Sequence, residues 1–69
     1  MFDELITCAV EDLYKEAEDI SKTLKKEDVE TFIRTLKKRV PELTVVQEKE
    51  LHRLGRKILK QFDMKPIRD

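Results

Sequence analysis

The chain has 69 residues, 43% of them charged, with 15 basic side chains set against 15 acidic ones. A chain this short allows one domain with a thin core, burying only ~60% of the surface its unfolded form exposes. Its zero net charge excludes a molecule steered as a whole toward nucleic acid or an acidic substrate.

The charge is distributed unevenly, with a net −6 over residues 1–19, +4 over 20–39 and +2 over 40–69. One Gly and two Pro leave few tight turns, and abundant Lys, Glu, Leu and Arg favour helix, so the expected class is all-α. No stretch approaches the ~20 apolar residues of a membrane span, and the acidic start MFDELITC is not that of a signal peptide. A single Cys cannot close an internal disulfide, which agrees with a reducing compartment. A soluble, cytoplasmic protein is expected. The density of Lys and Glu resembles that of thermophile proteins.

The first predicted helix covers residues 3–25. Phe2, Ile6, Ala9, Leu13, Ala17, Ile20 and Leu24 follow one another at three- or four-residue steps, so they share a helix face, widened by Leu5, Val10 and Tyr14. A straight helix of this length would measure ~35 Å. Its apolar phase breaks after Leu24, which predicts a turn around residues 25–27. A second helix follows over 27–39, carrying Val29, Phe32, Ile33 and Leu36 inward with Val40 at its end, and Pro41 terminates it. Thr44 and Gln47 have the spacing of a capping box, so a third helix runs over 45–62 with Leu51, Leu54, Ile58 and Phe62 inward. Residues 63–69 form a loose tail.

These lengths constrain the packing. A second helix of ~20 Å folded back along the first reaches only to about Leu13. Phe2, Leu5, Ile6 and Ala9 then lack cover, and with Leu13 they form an expected oligomer interface. The expected architecture is a small three-helix domain that completes a helical bundle as a homodimer.

No residue pattern points to catalysis. His52 is the only histidine and has no partners at metal-ligand spacing, so neither a metal site nor a cofactor is expected. Cys8 reads as a small hydrophobe at the edge of the first stripe. Glu11, Asp12, Glu16, Glu18 and Asp19 spread over a solvated face near Lys15 and Lys22. The cations carry more information. Lys49, Arg53, Arg56 and Lys60 step along the third helix with Lys57 beside them, a stripe able to meet phosphates or an acidic partner, and Arg34, Lys37 and Lys38 form a second group. Aromatic side chains are absent from that stripe, which disfavours single-strand binding. Gly55, inside the third helix, predicts a close approach of another backbone, from this chain or from a partner.

The function these features suggest is a non-enzymatic protein–protein interaction or adaptor module that oligomerises through its first helix. The alternative is a small nucleic-acid-binding regulator using the basic stripe.

Overall fold

The turn expected near residue 26 is present, and a second interruption, hidden by the apolar spacing, lies at Cys8 and Ala9. The computed structural model describes residues 2–65, and every regular element among them is helical. Four α-helices follow in order: α1 (Asp3–Thr7), α2 (Leu13–Ser21), α3 (Val29–Arg39) and α4 (Val45–Gln61). Single 3-10 turns at Val10–Asp12, Lys26–Asp28 and Val40–Glu42 join them. The tail expected over 63–69 lies outside the described residues from Pro66 onward.

The predicted first helix is therefore corrected: it is two helices, and the domain has four rather than three. Cys8 (φ −69°, ψ 159°) and Ala9 (φ −63°, ψ 151°) are extended. Just before them, Ile6 and Thr7 are β-branched, and Thr and Cys are weak helix formers. The Thr7 hydroxyl donates to the Asp3 carbonyl at 3.0 Å, closing the short helix on itself.

The interruption changes the packing. α1 folds back to pack on both α2 and α3, and α2 and α3 each pack on α4, so the four helices form a closed ring. The molecule's longest extent is 29 Å, shorter than the ~35 Å an unbroken first helix would need. Leu5, expected to lack cover, is fully buried, and Leu13 is only 1% exposed. Phe2 packs edge-on against Phe32, with ring centroids 5.4 Å apart and planes at 72°, although its backbone is left-handed at φ 60°. Ile6 remains 52% exposed.

Inside the ring, Leu5 meets Leu13 and Ala17 of α2, Val29, Phe32, Ile33 and Leu36 of α3, and Leu51, Leu54, Ile58 and Leu59 of α4 in one core. One charged side chain enters it. Arg39, 8% exposed, donates from Nη1 to the carbonyl oxygens of Leu5, Ile6 and Cys8, each at 3.0 Å. These belong to the α1 C-terminus and its exit, where helix carbonyls lack intrahelical donors and the dipole favours a cation. Arg39 Nε also donates to Glu42 Oε2 at 2.6 Å.

Helix ends are set locally. The tetrads Val10-Glu11-Asp12-Leu13 and Lys26-Glu27-Asp28-Val29 have the same form: a 3-10 turn with two acids, then a buried apolar residue opening the helix. The acids stand at the positive end of the dipole. The capping box of α4 is formed as predicted: the Gln47 N–H donates to Thr44 Oγ1 at 3.2 Å, and the Thr44 N–H donates to Gln47 Oε1 at 3.0 Å. At its other end, the Met64 N–H donates to the Leu59 carbonyl at 2.8 Å and the Asp63 N–H to that of Lys60 at 3.1 Å. With Asp63 at φ 55°, this is a Schellman motif having aspartate where glycine is usual. No described helix is long and apolar enough to cross a membrane.

Candidate functional site

Two grooves flank α4, and both follow from how its faces are divided. Leu51, Leu54, Gly55, Ile58 and Leu59 turn inward, while Lys49, Arg53, Arg56, Lys57 and Lys60 are all exposed. Where α3 meets α4, Ile33, Leu36 and Val40 oppose Leu51, Gly55 and Leu59 across a groove of about 230 Å³. Lys37, His52 and Arg56 wall it, giving an apolar floor with cations on both helices. The volume falls below the ~300–1,000 Å³ usual for small-molecule cavities, so the groove suits side chains better than a cofactor.

The floor is open because of Gly55. It is buried, yet a Cβ added there would meet nothing within 4 Å beyond its adjacent residues and its own helix backbone. The expectation of a close backbone approach is thereby corrected for this chain's own helices. The missing side chain leaves a hollow.

The second groove lies between α2 and α4. It measures about 400 Å³ and is more polar: Lys22, Arg53 and Lys57 line it with Glu18, Ser21, Tyr14 and Gln61, over Leu54 and Ile58. The basic stripe thus faces solvent between two grooves, with Arg56 on the α3 side and Arg53 and Lys57 on the α2 side. None of its five cations forms an ion pair with a described carboxylate.

The other predicted positions are scattered. Ile6 and Ala9 are exposed, Phe2 is half-buried, and Leu5 and Leu13 are enclosed in the core. Cys8 is half-buried and packs against the core edge. Glu11, Asp12, Glu18 and Asp19 lie on the surface, and Asp19 approaches Lys22 at 3.8 Å. Among the described residues, no three His, Cys, Asp or Glu side chains are grouped to hold a metal. Sequence reasoning missed the groove itself, because one wall, Ile33 and Leu36 of α3 with Val40 just after it, read simply as an inward stripe. No family model, curated protein or solved structure matches this chain.

Proposed function

We propose that this chain is a non-enzymatic protein–protein interaction module whose contact surface is the groove between α3 and α4, occupied by an acidic amphipathic helix of another protein. The observation that carries this reading is the apolar floor walled by cations from both helices, Lys37 on α3 and Arg56 on α4. A helix laid in such a groove buries its apolar face, and carboxylates along its borders complement the walls.

The exposed apolar side chains of the chain itself favour another protein over a second copy. Among the described residues the large ones are Ile6, Tyr14, Val45 and Val46. Ile6 and Tyr14 stand on different helices, and the adjacent Val45 and Val46, both exposed, occupy only the first turn of α4. No described helix therefore offers an exposed apolar stripe to fill the groove of a copy. Of the five residues expected at a first-helix dimer interface, Leu5 and Leu13 are covered within the chain itself, whereas Ile6 and Ala9 are exposed.

Selection from a helix-displaying library tests the reading. It should yield amphipathic helices that perturb α3 and α4 amide resonances and lose binding to Gly55→Leu. Binders indifferent to that substitution would count against the groove.

A second reading, nucleic-acid binding, is favoured by one observation: the five exposed cations of α4 have no ion-pair partners among the described residues. It requires duplex binding that weakens steeply with salt and is lost in Arg53→Glu with Arg56→Glu. Undetectable binding at low salt would end it.

A further inference from the structure

We propose that Gly55 is the specificity-determining position of the groove: the partner helix seats one bulky apolar side chain, of leucine or phenylalanine size, in the hollow over Gly55. The inference rests on the groove reading above and adds its register. Gly55 lies mid-helix in α4, where glycine is a poorer helix former than alanine. Its backbone does not require glycine, since no glycine has positive φ. Its neighbours do not require glycine either, because a Cβ would find nothing within 4 Å beyond its adjacent residues and its own helix backbone. Neither backbone nor packing explains the residue, whereas a docked side chain would.

The surroundings suit one large apolar group. Leu36, Leu51 and Leu59 share the groove with Gly55, and the whole groove measures about 230 Å³. Lys37 and Arg56 flank it on the two helices. The complementary motif is a bulky apolar residue with a carboxylate on each border of the apolar face. A small residue at the same point would leave the hollow empty and forfeit its dispersion contacts.

Two synthetic helical peptides of about 18 residues, ~27 Å long, test this. Both carry Glu along each border and differ only in having Leu or Ala at the central apolar position. The Leu peptide should bind the wild-type chain roughly tenfold more tightly than the Ala peptide, the size of effect expected for a buried anchor. On Gly55→Leu, with cooperative melting retained, that preference should vanish. Gly55→Ala should melt at a higher temperature and bind the Leu peptide more weakly.

Equal affinity of the two peptides for the wild-type chain, with α3 and α4 amides perturbed, would overturn the register while leaving the groove reading in place. Equal binding of the Leu peptide to Gly55→Ala and wild type would also overturn it. Failure of both peptides to perturb those amides would overturn the groove reading too.

Discussion

Arg39 donates from Nη1 to the carbonyl of Leu5, 34 residues earlier in the chain, at 3.0 Å. The same nitrogen reaches the carbonyls of Ile6 and Cys8, so one guanidinium ties the end of α3 to the end of α1. That bond fixes how α1 lies over the core, and with it the burial of Leu5.

Arg39→Met keeps much of the apolar stem but leaves three carbonyls without their donor. The expected loss is about 2–4 kcal/mol, since hydrogen bonds to charged groups and orphaned buried acceptors each contribute ~1–3 kcal/mol. Glu42→Gln should cost under ~1 kcal/mol, because the Glu42 side chain is 52% exposed and surface ion pairs contribute little. Urea denaturation of the two variants compares them directly. Similar losses would mean that the ion pair, rather than the carbonyl cluster, anchors α1.

Leu5 and Ile6 are neighbours in α1 with opposite environments, 0% and 52% exposed. Leu5→Ala should destabilise the isolated chain by about 2–5 kcal/mol through cavity formation. Ile6→Asp should change stability by about 0.5 kcal/mol or less, as surface substitutions do. Sedimentation of Ile6→Asp should match the wild type. A fall in mass would restore the first helix as a self-association surface.

Asp63 occupies the left-handed position of the α4 C-cap at φ 55°. Glycine adopts that conformation without a Cβ penalty, and the change also removes a negative charge from the negative end of the dipole. Asp63→Gly should therefore stabilise the chain by about 0.5–1 kcal/mol, read as a higher urea midpoint with unchanged slope.

The parts of this fold that were legible in the sequence have local causes. Pro41 ends α3, Thr44 and Gln47 cap α4, and Val29, Phe32, Ile33 and Leu36 repeat at helical spacing on a buried face. The turn at Lys26–Asp28 was legible because the apolar phase broke there. The matching turn at Val10–Asp12 was not, because Ala9 and Leu13 stay four apart across it and counterfeit a continuous helix. Glu11 and Asp12, in the middle of the supposed helix, were the overlooked sign of a second start. Arg39 gave no local sign, since a bond spanning 31 to 34 residues depends on topology. Gly55 was recognisable as special, but whether an absent Cβ admits a neighbouring backbone or leaves a hollow depends on the distance between α3 and α4.

The interruption at Ala9 can be tested with a single residue. Ala9 has φ −63° and ψ 151°, values that proline adopts without strain, and the preceding Cys8 is extended, as a residue before proline prefers to be. Ala9 is also exposed, and its N–H makes no backbone bond outside the helices. Ala9→Pro should accordingly leave stability unchanged or raise it by about 0.4–1 kcal/mol, by restricting the unfolded chain. In an unbroken helix the same substitution would remove a hydrogen bond, clash with the preceding turn and cost ~3 kcal/mol or more. Thermal and urea melts separate the two cases by sign, so a strongly destabilised Ala9→Pro would restore the long helix and with it the uncovered apolar face that a partner would have to bury.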